Sequence, residues 1–343
     1  MYDFMAIGDT VIDAFIKLKD ATVVGQPDTK EYKICLPFAD KVPYEDVTIV
    51  PAVGNAANAA VSASRLGLKT ALVSNIGDDQ NGVDCLEAFK KEGVGTEFIK
   101  INEGTKTNYH YVLWYDPERT ILTKHEVYPY LLPDFDPPTG GSKWIYFSSV
   151  GNSANSFYDT LAEYLENHLE IKLAFQPGKN EINLGKDKLA RLYKRANIFF
   201  CNVEEAGKII GLETLGIKEL LKRMYELLGP NSAKASMGNA KIVVITDGPR
   251  GAYAYDGQEM WFAPVYPDQK LAFERTGAGD AFASTVVSAL ALGKDLEIAL
   301  MWGAVNSMSV VQKIGAQEGL LTREKLEEYL KQAPANFKPK KLD

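Results

Sequence analysis

Thr276, Gly277, Ala278, Gly279 and Asp280 stand directly before a long apolar run, Ala281 to Leu292. This pattern predicts a glycine-rich turn that opens a buried helix, and the first N–H groups of a helix have no intrahelical partners. Those donors and the helix dipole favour a bound anion such as a phosphate. A carboxylate at such a place repels a phosphate unless it has a chemical task. The task that fits is that of a general base, which takes the proton of a hydroxyl attacking a phosphoryl group. The segment therefore predicts a small-molecule kinase, the alternative being an ordinary helix start with a favourable acidic residue.

The composition excludes several other classes of protein. The chain has 343 residues, is 46% hydrophobic and 24% charged, and carries a net charge of −7. A negative charge gives no long-range attraction to nucleic acid or to an anionic membrane. No apolar stretch approaches the ~20 residues that span a bilayer, and the first residues do not resemble a signal peptide. The three cysteines match no zinc or redox motif, and three histidines are too few to favour a histidine metal site or a Ser-His triad. We expect a cytoplasmic protein that acts on a small molecule, without a nucleic-acid or membrane partner.

Short apolar runs, typical of strands, alternate along the chain with helical patterns. These are the elements that must position Asp280. This alternation predicts a largely parallel sheet covered by helices. The predicted strands are Phe4–Gly8, Thr70–Ile76, Trp144–Ser149, Ile171–Gln176, Ile198–Cys201 and Ile242–Thr246. The predicted helices are Asn55–Leu66, Gly82–Glu92, Ser156–Glu166, Asp187–Tyr193, Val203–Ile210, Lys218–Leu228, Ala278–Leu292, Leu296–Val311 and Arg323–Lys331.

Two segments, 14–50 and 106–125, break this alternation. The first has β-like runs at Ala14–Leu18 and Tyr32–Leu36, and the second predicts a hairpin with a turn at 116–119. Together they can form a small sheet outside the core, which would bury one face on a substrate cleft or on a partner subunit. A β extension packed on its own core is the alternative. We therefore predict a core of residues 1–13, 51–105 and 126–343 and a lid of residues 14–50 and 106–125. A surface insertion is predicted at 229–239.

Further polar residues stand where a kinase would need them. Asp13, after the first strand, can accept hydrogen bonds from sugar hydroxyls, or it caps a loop. Gly54 and Asn58 open a helix of small residues that lets a ligand approach, or that simply packs tightly. Asn202 and Glu205, after another strand, can hold Mg²⁺ through water, although a capping box explains the same spacing.

A nucleotide site is predicted in the last third of the chain. Thr246, Gly248 and Gly251 form a strand end and turn whose hydroxyl and N–H groups can face phosphates. Asn306, on a later helix, can line an adenine pocket. An ordinary turn and a core helix are the alternatives.

The order and spacing of these motifs, from Gly8 to about Ala316, resemble the ribokinase (PfkB) family of carbohydrate and nucleoside kinases. The resemblance implies an α/β fold, a doubly wound and mostly parallel sheet flanked by helices, with a small β-sheet lid. It implies ATP and Mg²⁺ as cofactors and a homodimer formed through the lid. It also implies a role for each motif: Asp280 as catalytic base; the backbone of Gly277, Ala278 and Gly279 as anion hole; Asp13, Gly54 and Asn58 at the sugar; Asn202 and Glu205 at the magnesium; and Thr246, Gly248, Gly251 and Asn306 at ATP.

The chain departs from the family pattern at two places. Val53 replaces the first of two glycines at the lid hinge, which predicts a stiffer or displaced hinge. Glu274-Arg275-Thr276 replaces the usual Asp-Thr-Thr. Glu274 can still serve a monovalent cation such as K⁺. Arg275 can add positive charge beside the transferred phosphoryl group, or it can pair with Glu274 at the surface.

The acceptor is predicted to be a small sugar such as ribose or fructose. A nucleoside such as adenosine is the alternative, because aromatic residues in the lid segments can stack on a base: Tyr32, Phe38, Tyr44, Tyr109, Tyr111 and Trp114. A phosphorylated sugar would need a basic cluster, for which only Lys106, Arg119 and Lys124 are available. A Rossmann oxidoreductase is excluded because Gly-x-Gly-x-x-Gly does not follow the first strand. A non-catalytic ligand-binding protein on the kinase fold is the remaining alternative.

Overall fold

The computed structural model describes residues 1–26, 31–115, 118–135, 141–212, 215–229, 241–267 and 272–342. The strands within these ranges are β1 (Tyr2–Ile7), β2 (Val11–Leu18), β3 (Thr22–Gln26), β4 (Glu31–Cys35), β5 (Tyr44–Val53), β6 (Thr70–Gly77), β7 (Ile99–Asn102), β8 (Asn108–Tyr115), β9 (Glu118–Leu122), β10 (Ser142–Phe147), β11 (Lys172–Phe175), β12 (Ile198–Asn202), β13 (Ile242–Thr246), β14 (Ala252–Tyr255), β15 (Met260–Ala263) and β16 (Lys340–Lys341). The helices are α1 (Asn55–Arg65), α2 (Gln80–Lys91), α3 (Asn155–Asn167), α4 (Lys179–Leu184), α5 (Ala190–Arg195), α6 (Val203–Ile210), α7 (Ile217–Leu228), α8 (Ala278–Ala291), α9 (Leu296–Val310) and α10 (Arg323–Gln332).

The main sheet has the order β16-β15-β14-β13-β12-β11-β10-β1-β6-β7. The seven strands from β13 to β7 are parallel, and β14, β15 and β16 add an antiparallel edge. The strand order reverses direction at β1, with β10 on one side and β6 on the other. Loops at the carboxyl ends of such strands form the usual ligand crevice of open α/β sheets.

Helices cover both faces of this sheet, as the predicted doubly wound fold requires. Phe4 and Ala6 of β1 face the layer that contains α1, α2, α8, α9 and α10. Met5 and Ile7 face the layer that contains α3, α5, α6 and α7. Strands buried on both sides have no polar face, which explains the almost continuous apolar runs in the sequence. None of the helices in the described ranges is long and apolar enough to cross a bilayer.

A second sheet, with the order β5-β2-β8-β9, forms the lid. Strand β2 is antiparallel to β5 and parallel to β8, and β3 pairs with β4 in a separate two-stranded arm. Val11 pairs with Val53, so residues 11–13 and 51–53 lie in strands of the second sheet, although we predicted them in the core. The reason is that backbone pairing continues up to the turns before Val11 and after Val53.

Each predicted strand and each predicted helix overlaps an observed element. The predicted insertion at 229–239 and the centre of the hairpin turn at 116–117 lie largely or wholly outside the described residues.

Candidate active site

The start of α8 forms an anion cradle from main-chain donors. Gly277 caps the helix with φ of 79°, and a Cβ there would lie 2.4 Å from the Cβ of Ala316. The first intrahelical bond runs from the N–H of Ala281 to Gly277 O, at 2.8 Å. The N–H groups of residues 277–280 therefore precede the helical ladder. A Cβ on Gly279 would meet nothing within 4 Å, so space for an anion adjoins these donors.

The carboxylate of Asp280 lies in the first turn of this helix and accepts three amide hydrogen bonds. Asn55 Nδ2 donates to Oδ1 at 2.8 Å, Asn58 Nδ2 donates to Oδ2 at 2.9 Å, and Gln176 Nε2 donates to Oδ1 at 3.2 Å. The residue is 8% exposed. Burial raises the pKa of Asp280, and the three amide bonds act in the opposite direction. An ionised carboxylate with a raised pKa is a stronger base than an ordinary aspartate.

A polar floor formed by two carboxylates and two imidazoles lies around Asp13. His110, opposite Asp13 in the lid sheet, places its Nδ1 3.5 Å from Asp13 Oδ1. Asp9 accepts a hydrogen bond of 2.7 Å from Tyr130 and lies 3.4 Å from Nδ1 of His125. The two imidazole rings are 5.3 Å apart. Three buried atoms of this group, Asp9 Oδ2, Asp13 Oδ1 and His110 Nε2, lack a hydrogen bond, which a hydroxylated ligand would supply.

Sequence reasoning missed both histidines and Gln176. His110 could have been found from the register of β2 with β8. His110 lies directly opposite Asp13 in the neighbouring strand, so the two side chains point to the same face of the sheet.

The hinge between the lid and α1 is tightly packed. Gly54, the residue before α1, has φ of 120°, and a Cβ there would lie 2.5 Å from Asp9 O. Val53 pairs with Val11 beside a register shift between Val11 and Asp13, and the left-handed non-glycine residue is its neighbour Ala52, with φ of 62°. The stiffer or displaced hinge predicted from Val53 remains a prediction, and the left-handed backbone in this segment lies at Ala52 and Gly54.

The residues predicted at ATP meet at the carboxyl edge of the sheet, with one exception. Asn202 and Thr246 end β12 and β13 as register partners. Gly248, with φ of 53°, opens a 3₁₀ turn, and Gly251, with φ of 103°, closes it. A Cβ on Gly251 would lie 2.4 Å from the carbonyl oxygen of Ala263, so only glycine fits there.

Asn306 is the exception. Its side chain is fully buried, donates a 2.7 Å bond to Thr285 Oγ1 and accepts a 2.9 Å bond from Leu321 N–H. An amide satisfied in this way links core elements, because both ends of it already have protein partners. We therefore leave Asn306 out of the nucleotide site.

Glu205 and Asn202 form the capping box at the start of α6. Asn202 Oδ1 accepts from Glu205 N–H, and Glu205 Oε2 accepts from Asn202 N–H, both at 2.8 Å. Burial, and to a smaller extent the charge of Asp280, raise the pKa of Glu205. The described residues include no cluster of three or more His, Cys, Asp or Glu side chains able to hold a metal. A Mg²⁺ ion here would keep most of its waters, as this ion prefers.

The segment before the anion cradle is linked to the lid, and Arg275 takes part in that link. Arg275 donates a 2.9 Å bond to Glu118 and is half exposed, so it pairs with neither Glu274 nor a phosphate site. Glu274 is fully buried; its Oε1 accepts bonds of 2.8 and 2.5 Å from the N–H and hydroxyl of Thr276 and lies 3.6 Å from Arg119 Nε. Glu274 Oε2 has no hydrogen-bond partner.

The lid therefore lies with one face on the site. Trp114 of β8 packs edge-on against Phe273 at 5.1 Å, and Phe15 of β2 lies 3.5 Å from the position of a Cβ on Gly315. Phe15, Val112 and Trp114 are buried, because they lie on the face of this sheet that contacts the core.

Comparison with known proteins agrees with this geometry. A family model described as pfkB family carbohydrate kinase matches residues 26–323. A 5-dehydro-2-deoxygluconokinase of Bacillus subtilis is 25% identical over 292 residues, which cover 81% of this chain and 86% of that protein.

Solved structures of similar fold contain the nucleotide. Arabidopsis thaliana ribokinase, complexed with ribose and ATP, superposes with a TM-score of 0.76 at 17% identity, covering 96% of this chain and 99% of that one. A putative ribokinase II of E. coli, complexed with ATP and Mg²⁺, has a TM-score of 0.70 at 17% identity, covering 97% and 100%. The chain thus belongs to the pfkB family of carbohydrate kinases, and it is an ATP-dependent sugar kinase.

Proposed function

We propose that this kinase transfers the γ-phosphoryl group of ATP to a hydroxyl of a small ribose- or fructose-like sugar, with Asp280 as the general base. The observation that carries the proposal is the position of Asp280: a buried carboxylate in the first turn of a helix whose free N–H groups adjoin open space. The base, Asp280, and the main-chain donors of Gly277, Ala278 and Gly279 thus lie next to each other in the sequence, at the start of one helix.

Asp280 accepts the proton of the sugar hydroxyl as that hydroxyl attacks. The N–H groups at Gly277, Ala278 and Gly279 stabilise negative charge on the transferred group. Magnesium, held through water near Asn202 and Glu205, neutralises phosphate charge when bound. Thr246, Gly248 and Gly251 hold the nucleotide at the neighbouring strand end. The lid excludes water, which would otherwise accept the phosphoryl group. We place this activity in the cytoplasm, where ATP and magnesium are available.

A sugar with several free hydroxyls fits the floor around Asp13, with Gly54 and Asn58 beside it. Asp9 Oδ2 and Asp13 Oδ1 lie 3.4 and 3.5 Å from the imidazoles of His125 and His110. These oxygens and His110 Nε2 make no close hydrogen bond and can accept or donate one without needing a second charge on the ligand. A sugar phosphate is less well served, because Arg119 contacts Glu274 and Lys124 pairs with Glu126 at 2.6 Å.

Three of the aromatic residues that favoured a nucleoside contact other rings, whereas Tyr32, Phe38 and Tyr44 are exposed. Trp114 packs on Phe273, and Tyr109 packs on Tyr111 at 5.2 Å. A coupled ADP-release assay with ribose, fructose, 5-dehydro-2-deoxygluconate and adenosine distinguishes the acceptors. We expect the highest kcat/KM with one of the sugars, and a preference for adenosine would reverse the assignment.

A monovalent cation such as K⁺ fits beside Glu274. A fully buried carboxylate with one unpartnered oxygen, Oε2, calls for a positive partner. The Arg119 guanidinium, 3.6 Å from the other oxygen, meets that need only partly. We expect KCl to raise kcat relative to choline chloride at equal ionic strength in the native enzyme but not in Glu274→Gln.

The outer face of the lid fits a homodimer. Ile49, Tyr111 and Leu122 lie in one row across the sheet, and each is between 48 and 58% exposed. Such a row of apolar side chains is costly in water unless it is covered. We expect a dimer in sedimentation equilibrium, and a monomer after Ile49→Asp; a monomeric native chain would refute this part of the proposal.

Replacing the base tests the central assignment. Asp280→Asn keeps the shape of the side chain, and we expect kcat to fall by roughly 10²–10⁴-fold with ATP binding and folding retained. Asp295→Asn, which alters the N-cap of α9 on the surface, is the matched control and is expected to keep full activity. Near-normal turnover in Asp280→Asn would reject the role of Asp280.

A further inference from the structure

The amides that surround Asp280 can assist it only in one of their two orientations. A primary amide presents donors at nitrogen and acceptors at oxygen. Asn58 and Gln176 both turn the nitrogen end towards the carboxylate. A half-turn of either amide would set a carbonyl oxygen against a carboxylate oxygen, with nearly the same shape. Something outside the pair must therefore fix the orientation.

For Asn58, the outer partner is Gln317, in the segment after α9. Gln317 Nε2 donates a 3.0 Å hydrogen bond to Asn58 Oδ1 and a 2.7 Å bond to the carbonyl oxygen of Ala52. Both protons of this amide nitrogen thus have an acceptor, one of which is fixed backbone. Asn58 is consequently left with its oxygen occupied and its nitrogen free for Asp280.

For Gln176, the outer partner is Tyr146 on the neighbouring strand β10. The hydroxyl of Tyr146 donates to Gln176 Oε1. Tyr146 is fully buried, and burial together with the charge of Asp280 raises the pKa of its phenol well above the usual value. The hydroxyl therefore remains protonated at any working pH, so it always has a proton to donate.

We propose that Tyr146 and Gln317 are positioning residues for the reaction, each donating a hydrogen bond to the oxygen end of an amide so that the nitrogen end faces Asp280. Neither touches the carboxylate itself. The inference rests on the proposed role of Asp280 as base. Its chemical consequence is that both amides favour the ionised form, which is the form that accepts a proton.

The charge of Asp280 acts on two ionisable groups, Tyr146 on β10 and Glu205 on α6, and raises the pKa of each. Helix α1 contributes the neutral amides Asn55 and Asn58. Glu274 and Arg275, which precede α8, are held by Arg119 and Glu118. Asp9 acts on His125 and nearby tyrosines instead.

The test measures the pKa of Asp280 in Tyr146→Phe and in Gln317→Met. Carbon-13 NMR of protein labelled at the aspartate carboxyl carbons follows the titration, and Asp280→Asn identifies the signal. Because each variant removes the bond that orients one amide, we expect the midpoint to rise by about one pH unit, the equivalent of one charge-assisted hydrogen bond. The acid limb of kcat/KM is expected to move by the same amount.

Matched controls make the same chemical changes elsewhere. Tyr266→Phe removes a hydroxyl that donates to the carbonyl of Tyr329, and Gln332→Met alters an amide on the exposed helix α10. We expect neither to move the midpoint. Tyr146→Phe is also expected to have no further effect in a Gln176→Leu background, and a full shift in that background would overturn the proposed route through Gln176.

The outcomes separate this inference from the proposed function. If Asp280→Asn is inactive but neither Tyr146→Phe nor Gln317→Met moves the NMR midpoint, the positioning role is wrong and the base assignment stands. If Asp280→Asn retains turnover, the base assignment fails, while a shifted midpoint still supports the orientation of the amides.

Discussion

Nε of Arg119, on the edge strand of the lid, lies 3.6 Å from Oε1 of the fully buried Glu274. The adjacent residues are paired in the same way, with Arg275 donating to Glu118 at 2.9 Å. Since Thr276 donates two hydrogen bonds to Glu274, the lid is linked through this carboxylate to the turn that forms the anion cradle. Glu274 thus contacts both the second sheet and the turn that precedes α8.

The two ion pairs are expected to differ in importance. Arg119→Met removes a partly exposed guanidinium that lies 3.6 Å from the buried Glu274, so we expect a cost below the roughly 3–5 kcal/mol of a fully buried pair. We expect kcat/KM to fall by tenfold or more. Arg275→Met breaks a pair that is exposed on both sides, and such pairs contribute about 0–1 kcal/mol. Steady-state kinetics of the two variants at low salt make the comparison, and equal effects would contradict the link through Glu274.

The Gly277→Ala and Gly279→Ala variants are expected to differ: the first loses stability and the second loses ATP turnover. Gly277→Ala places a Cβ 2.4 Å from Ala316 in a left-handed residue, where the backbone alone costs about 1–2 kcal/mol. We expect a lower free energy of unfolding. Gly279→Ala meets no protein atom, so the fold should be unchanged while ATP turnover falls, because the new methyl group occupies the anion space. Urea unfolding and kinetics of both variants test this, and a stable, active Gly277→Ala would contradict the packing argument.

Sequence reasoning succeeded where chemistry and secondary structure are local. The segment before Ala281 specifies its own turn, helix start and donors, so Asp280 could be identified without the fold. Helices and buried parallel strands were predicted because their periodicity lies within each element. The antiparallel edge β14 to β16 and the strand β7 were missed, since short strands depend on partners elsewhere in the chain. The ten-residue strand β5 was missed because its first half is largely exposed.

The side chains that surround Asp280 could be identified only from the folded structure. Asn58 and Asp280 are separated by 222 positions, and Gln176 and Gln317 join them from two further segments. For Asn306, the sequence predicted a ligand contact that the fold does not provide. An amide in an apolar helix can bind a ligand or join a buried hydrogen-bond network, and its bond to Thr285 shows the second.

His125 is expected to give the stability a pH dependence. Its contact with Asp9 raises the pKa of His125 against the opposing effect of burial. The folded state therefore holds this proton more tightly than the unfolded chain, whose histidine has a pKa of about 6.5. The resulting stabilisation is complete below about pH 6.5 and is lost as the pH rises through the folded value.

Urea unfolding of the native chain and of His125→Gln across that range measures this contribution. We expect the difference in free energy of unfolding to be largest in mild acid and to shrink in mild alkali. A difference that stays constant with pH would show that His125 stabilises the fold by packing alone.

Ala52 is expected to be a strained hinge. Its φ of 62° is left-handed, and the residue is fixed on both sides, because its N–H donates to Cys85 Sγ at 3.3 Å and its carbonyl accepts from Gln317. Relief of left-handed strain is worth about 1–2 kcal/mol, and the added freedom of unfolded glycine offsets about 0.5–1 kcal/mol of it. Ala52→Gly should therefore raise the free energy of unfolding slightly, and Ala52→Val should lower it.

Ala39 supplies the control, because it is also left-handed, with φ of 58°, but lies exposed between β4 and β5. Ala39→Gly should bring a similar gain in stability without changing kinetics. Ala52→Gly should also raise KM for the sugar, since a glycine hinge lets the lid leave the closed position more easily. Equal KM values in the two variants would mean that the lid turns about Gly54 alone, with Ala52 only a tight bend in the path of the chain.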